Sequence, residues 1–158
     1  MLQAAAVLGY GASRIGMKYP DVFGSLCIMS PCCFSARALG PANPDNEKAL
    51  KAVKTPEDSA KLPFGLRAQM ASAAAWSPDP KDPPLFFDLP MKDGEVQQDI
   101  LAKRAANAPL AFVDQYIGNL RRYRAIAMDV GDQDGLRIDA GKLHGVFDQY
   151  GPPNSLEI

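Results

Sequence analysis

Histidine and cysteine are scarce in this sequence. Its 158 residues include one histidine, His144, and three cysteines, Cys27, Cys32 and Cys33. Because a zinc site needs at least three protein ligands, we expect neither a zinc site nor any other metal or cofactor. An odd number of cysteines without regular spacing argues against a disulfide framework. We therefore expect reduced thiols and a cytoplasmic protein.

Long apolar runs and an excess of one charge are also missing. No stretch reaches the roughly 18 apolar residues that a membrane span needs, and the apolar residues 1–8 lack the basic flank of a signal peptide. The 17 basic and 18 acidic residues give a net charge of -1. This balance does not favour a nucleic-acid partner. We interpret the segment Arg121-Arg122-Tyr123-Arg124 as a solvated helix end.

The sequence does have the composition of a globular domain, with 47% hydrophobic and 22% charged residues. Helix-forming segments alternate with short apolar runs that have the length of strands. A run of alanines predicts the first helix, and its end is set by Tyr19-Pro20, since the residue before proline avoids helical angles. We predict helices over 4–18, 109–121 and 136–150, and strands over 23–30, 124–130 and 154–158.

The middle of the chain has a different character. Helical pieces are predicted over 45–53, 56–62, 65–76 and 94–106. Residues 77–84 contain four prolines and cannot form regular structure. So much irregular chain between core elements is typical of an insertion or a functional loop.

Strands that alternate with helices predict an α/β fold with a parallel sheet and right-handed crossovers. We expect about three strands, flanked by helices. The strand segments 23–30 and 124–130 are apolar at almost every position, which suits parallel strands that are buried on both faces.

Two segments resemble the esterase D-like branch of the α/β-hydrolases. Residues 9–31 begin Gly-Tyr-Gly-Ala, pass through Tyr-Pro-Asp and end in Ser-Pro, as does the family segment after the nucleophile elbow. Residues 129–134, Asp-Val-Gly-Asp-Gln-Asp, resemble the step that presents the triad acid, and 154–158 resembles the last strand. The resemblance implies one partial α/β-hydrolase domain, with its core in 4–31 and 109–158 and a cap-like helical insertion at 32–108.

The same resemblance implies roles for individual residues. Asp134 corresponds to the acid of a serine-hydrolase triad, and Ala6 stands at the nucleophile-elbow position, where the family has its serine. Ala4 and Leu8 replace elbow glycines, which such a turn needs. The family places its histidine after the last strand, where this sequence has none. The resemblance therefore implies a carboxylesterase-type hydrolase of small-molecule esters, present as a truncated or divergent chain.

Residues 129–134, the acidic loop, contain more than one candidate for the triad acid. Asp129 and Asp132 compete with Asp134 for the role of the acid. All three are also compatible with turn and cap positions, and Asp134 is well placed to cap the helix at 136.

The other reactive side chains favour structural interpretations. His144 is expected at the surface or edge of its helix, and Ser13 on a helix surface. Cys27 is expected in the core. Ser30 is a candidate for lining a pocket, and the vicinal Cys32 and Cys33 are thiols without an evident base.

Three hypotheses for function follow. The first is the carboxylesterase-type hydrolase. The second is a catalytically silent hydrolase-like domain used for interaction, including self-association through an exposed sheet edge. The third is an unrelated small α/β binding module.

Overall fold

A computed structural model of the protein describes residues 2–6, 9–36 and 43–158. None of the helices in these ranges is long and apolar enough to cross a membrane. The strands are β1 (Leu2–Ala6), β2 (Phe23–Met29), β3 (Met91–Lys92), β4 (Glu95–Val96), β5 (Ala125–Asp129) and β6 (Asn154–Glu157). The helices are α1 (Gly9–Lys18), α2 (Pro44–Lys51), α3 (Pro56–Ala60), α4 (Phe64–Trp76), α5 (Gln98–Asn107), α6 (Ile117–Leu120) and α7 (Arg137–Tyr150).

The chain forms two compact units. The core unit consists of Met1–Ala36 and Ala108–Ile158, and the inserted unit consists of Arg37–Asn107. The sequence placed the corresponding divisions after residues 31 and 108.

The core unit is built on one parallel sheet. Its strand order is β1-β2-β5-β6, and every neighbouring pair is parallel. The predicted α/β class, with a parallel sheet and flanking helices, is confirmed. The sheet has four strands where about three were expected, because residues 2–6 add β1 at one edge.

The predicted helix over 4–18 is wrong in its first part. Residues 2–6 form a strand, and the helix begins at Gly9; Val7 and Leu8, also assigned to that helix, lie outside the described residues. Alanine favours a helix when only local preferences act. Here Leu2–Ala6 pairs along its whole length with β2, and this non-local pairing overrides the local preference.

Small residues let α1 lie close to the sheet. The buried face of this helix carries Gly9, Ala12, Ser13, Gly16 and Met17. A Cβ atom on Gly16 would lie 2.4 Å from Leu26 Cδ1, so the leucine occupies the space that a side chain would need. The absence of a side chain on Gly16 therefore makes room for Leu26 of β2 against the helix.

The hydrophobic core of this unit lies between the sheet and its helices. It includes Met17, Leu26, Ile28, Phe34, Ile126, Met128, Leu143 and Phe147. The predicted helix over 109–121 consists of two 3-10 turns, Pro109–Ala111 and Val113–Tyr116, followed by the short α6. The apolar face predicted for that segment does pack on the core: Val113, Ile117 and Leu120 are buried, and Phe112 and Tyr116 are partly buried.

The inserted unit is mostly helical, with a separate core of Leu50, Val53, Leu66, Met70, Ala73 and Phe87. The four helical pieces predicted here appear as α2 to α5, with one error. Residues 94–96 belong to a hairpin of β3 and β4, whose two-residue turn is Asp93 (φ 53) and Gly94 (φ 77). An Asp-Gly pair with two positive φ angles is a strong hairpin signal, and the helical pattern that follows it concealed this signal.

Candidate functional site

The candidate site of the core unit lies at the carboxyl edge of its sheet, because open α/β sheets bind their ligands at that edge. The strand register aligns four residues in one row across this edge: Ala6, Ile28, Met128 and Leu156. Neighbouring strands lie about 4.8 Å apart. The chain segments that leave the ends of these strands therefore emerge side by side.

Strand β1 is followed closely along the chain by helix α1. Ala6 is the last residue of the strand, and the helix begins three residues later at Gly9. A Cβ atom on Gly9 would lie 2.7 Å from the carbonyl oxygen of Met29 and 2.8 Å from Pro31 Cα. Since Met29 ends β2, the first residue of α1 lies directly against the carboxyl edge. Leu8, which the resemblance aligns with an elbow glycine, lies outside the described residues.

Asp134 lies in the loop between β5 and α7 and is half-buried. Its Oδ1 atom accepts a hydrogen bond from the backbone N–H of Leu136 at 2.9 Å, and its carbonyl accepts one from the N–H of Arg137 at 3.1 Å. The carboxylate thus binds a backbone donor at the start of α7. The N-cap residue of α7 is Leu136, which has no side-chain cap hydrogen bond. Asp134 therefore forms a local turn contact just before the helix and is not its N-cap residue.

The two rival acids are more exposed than Asp134. Asp129 ends β5, and its backbone carbonyl accepts a hydrogen bond from the N–H of Ser30 at 2.8 Å. Asp132 accepts one from the side-chain amide of Gln133 at 3.2 Å. Asp134 is therefore the least exposed of the three acids.

His144 is held away from the acidic loop. Its Nδ1 atom forms a hydrogen bond with Asn154 Oδ1, and its Nε2 atom lies 3.3 Å from Asp148 Oδ2. Asn154 is the first residue of β6, so this contact lies toward the amino edge of the parallel sheet. The structure does not bring His144 to Asp134.

Ser13, which was predicted on a helix surface, is buried, with 1% of its surface exposed. Its hydroxyl donates to the carbonyl of Gly9 at 2.8 Å and lies 2.9 Å from the carbonyl of Tyr10. The prediction was wrong because the face of α1 toward the sheet is made of small residues, among them Gly9, Ser13 and Gly16. The serine serves packing and local hydrogen bonding inside the helix.

The residues that follow β2 have unusual backbone angles. Ser30 (φ 41) is exposed, and Cys33 (φ 65) is half-buried, as is Cys32. Cys27, expected in the core, is half-buried in β2, and none of the three cysteines forms a disulfide. Within residues 9–36 and 43–158, no three His, Cys, Asp or Glu side chains are arranged to hold a metal ion.

The sequence did not identify one polar cluster, formed by Ser35, Asp139 and Lys142. Asp139 is 2% exposed and accepts hydrogen bonds from the hydroxyl of Ser35 at 2.7 Å and its N–H at 3.3 Å. The Lys142 Nζ atom lies 3.3 Å from both Asp139 Oδ1 and Ser35 Oγ.

The contacts of this cluster join two elements of the core unit. The hydroxyl of Ser35 donates to the carboxylate of Asp139, and Lys142 forms an ion pair with the same carboxylate at 3.3 Å. The cluster ties the segment after β2 to α7. The sequence contains one indication of this cluster. Asp139 precedes the buried Leu143 and Phe147 by four and eight residues, so an acidic side chain lies on the apolar face of α7.

No protein-family profile matches the chain, and no curated protein sequence matches it. The similarity to esterases therefore remains a prediction that depends on the motifs in 9–31 and 129–134.

Proposed function

We propose that the carboxyl edge of the core sheet is an esterase-type serine-hydrolase site, in which Ala6 occupies the place of the nucleophile and Asp134 that of the triad acid. Sites of this kind hydrolyse small-molecule esters through an acyl-serine intermediate. The observation that supports the proposal is the close packing of Gly9 against Met29, which places the start of α1, three residues after the end of β1, at this edge.

The order of the elements along the chain supports the same proposal. In α/β-hydrolases the nucleophile comes first, on a turn between a strand and a helix, and the acid follows on a later strand. Here β1 leads into α1, and Asp134 follows β5, which lies two strands away in the same sheet. Both positions follow the carboxyl ends of their strands.

The proposal implies that this chain does not turn over esters by itself. Alanine has no hydroxyl to attack a carbonyl, and acyl transfer also needs a base to take the proton. His144 is the one histidine of the sequence, and it binds Asn154 and Asp148. The site is therefore a hydrolase scaffold without its nucleophile.

Hydrolysis of p-nitrophenyl acetate tests this implication. We expect the rate with the full chain to equal that of buffer, and Asp134→Asn to change nothing. A saturable rate that disappears in Asp134→Asn would show a working nucleophile elsewhere and would contradict the proposed silence of the site.

A second candidate is self-association through the edges of the sheet. Strands β1 and β6 end the strand order, and each pairs with a single strand within the described residues. Unpaired edges offer backbone groups to another copy of the chain. Sedimentation velocity over a range of concentrations decides this: a reversible dimer supports self-association, and a monomer at every concentration contradicts it.

A further inference from the structure

The inserted unit contains a cavity that the proposed hydrolase site does not use. Its volume is about 370 Å³, within the range of roughly 300–1,000 Å³ that is usual for small-molecule sites. The apolar part of its wall includes Val53, Met70, Leu85 and Phe87, and Ala71 lies on the same wall. Val53, Met70 and Phe87 belong to the buried core of the unit, so this part of the wall is held in place by packing.

The charged groups of this cavity have one sign. Lys54 and Arg67 line it, and no Asp or Glu does. Within the described part of the chain, no carboxylate forms an ion pair with either side chain. The adjacent acid Asp58 does not line the cavity; its carboxylate pairs with Lys61 at 3.0 Å and accepts the backbone N–H groups of Lys54 and Thr55, each at 3.3 Å.

A neighbouring cavity in the same unit provides a contrast. It has a volume of about 230 Å³ and shares Leu85 and Phe87 with the first. Four carboxylates and two ammonium groups line it, which gives a formal charge of -2: Glu47, Asp82, Asp88 and Asp99, with Lys51 and Lys92. The first cavity has two cations and no acid, a formal charge of +2. The first cavity should therefore attract an anion, whereas the second should repel it.

We propose that the cavity lined by Lys54 and Arg67 binds a small amphiphilic anion, an apolar chain that ends in a carboxylate. The guanidinium of Arg67 offers paired donors that match a carboxylate, and Lys54 adds a second positive charge. The apolar chain of the ligand would lie against Met70, Leu85 and Phe87, where burial of apolar surface favours binding. This proposal is independent of the site at the sheet edge.

Titration of the full chain with decanoate, below its micellar concentration, tests the proposal. We expect saturable binding by calorimetry and a shift of the Met70 methyl signal in NMR spectra. Arg67→Gln and Lys54→Gln should each weaken decanoate binding about tenfold, because each removes a charge-assisted hydrogen bond to the carboxylate. Neither should change the affinity for decanol, and Lys103→Gln, an exposed cation of the same unit away from the cavity, should leave both unchanged.

A second pair of variants tests the location. Ala71 and Ala68 are both exposed on α4, but only Ala71 lines the cavity. Ala71→Phe should abolish decanoate binding, whereas Ala68→Phe should retain it. The proposal is overturned if decanoate does not bind, if it binds no better than decanol, or if Ala71→Phe leaves its affinity intact.

Discussion

Gly9 and Met29 are in such close contact that a Cβ atom on the glycine would lie 2.7 Å from the methionine's carbonyl oxygen. The obstacle is backbone at the end of a central strand, so it cannot rotate away as a side chain could. This contact places the start of α1 at the carboxyl edge of the sheet, and the proposed site depends on it.

We predict that Gly9→Ala destabilises the protein and that Gly11→Ala does not. The first substitution forces a methyl group into backbone and should lower the free energy of unfolding by about 2 kcal/mol. A Cβ atom on Gly11 would meet nothing within 4 Å, so alanine there should raise it by about 0.5–1 kcal/mol through helix propensity. Urea denaturation of both variants measures the difference. Equal effects would show that α1 does not lie against β2 as described.

The hydrogen bond from the N–H of Leu136 to the Asp134 carboxylate predicts different effects for two substitutions. Asparagine can accept the same hydrogen bond from Leu136, whereas alanine cannot. Asp134→Ala should therefore lower the free energy of unfolding by about 1 kcal/mol, and Asp134→Asn should leave it nearly unchanged. Thermal denaturation distinguishes the two variants. If both are equally destabilised, the charge of Asp134 matters more to the fold than its hydrogen bond.

We predict that the ionisation of Tyr123 lowers the stability of the core unit at alkaline pH. Its side chain is 3% exposed, and its hydroxyl donates to the carbonyl of Gly16 at 2.9 Å. Burial raises the pKa of Tyr123 above the ordinary value of tyrosine. The folded state therefore favours the neutral phenol, while the unfolded chain ionises near its normal pKa. The stability that this difference supplies is complete below about pH 10 and is lost as the pH rises further.

Tyr123→Phe should remove that alkaline loss. At neutral pH the variant should be about 1 kcal/mol less stable, because the hydrogen bond to Gly16 is missing. Its free energy of unfolding should then fall less steeply between about pH 9 and about pH 11 than that of the unsubstituted protein. Tyr150→Phe, at an exposed tyrosine, is the matched control. Parallel pH profiles for the unsubstituted protein and Tyr123→Phe would contradict the role assigned to burial.

The central strands could be predicted because their signal is local. Residues 23–30 and 124–130 are short apolar runs bounded by turn-forming or polar residues, and they form β2 and β5. Strand β1 could not be predicted in this way. Its alanines have no local preference for a strand, and it exists because its backbone pairs with β2.

Among the polar residues of the core unit, some positions could be predicted from local sequence and others could not. The loop of Asp134 follows a predictable strand and is rich in turn formers, so its position could be predicted from the sequence. The contact of Ser35 with Asp139 joins residues 104 positions apart, and no local pattern indicates such a pair. The burial of Ser13 was not predicted, because small residues such as Gly9 and Gly16 make up much of the buried face of α1. Such residues do not form the stripe of large apolar side chains from which a buried helix face is usually predicted.

The most direct test of the proposed site restores a hydroxyl at position 6. The Ala6→Ser variant is treated with p-nitrophenyl acetate and imidazole, which substitutes for the missing base, and acetylation is located by mass spectrometry of the peptide. Ala5→Ser, at the adjacent alanine, is the control for ordinary serine reactivity. Because the proposed elbow and triad acid would accelerate acyl transfer, we predict acetylation at position 6 at least about tenfold faster than at position 5, with Asp134→Asn reducing the excess. Equal rates at the two positions would contradict the assignment of this sheet edge as an esterase-type site.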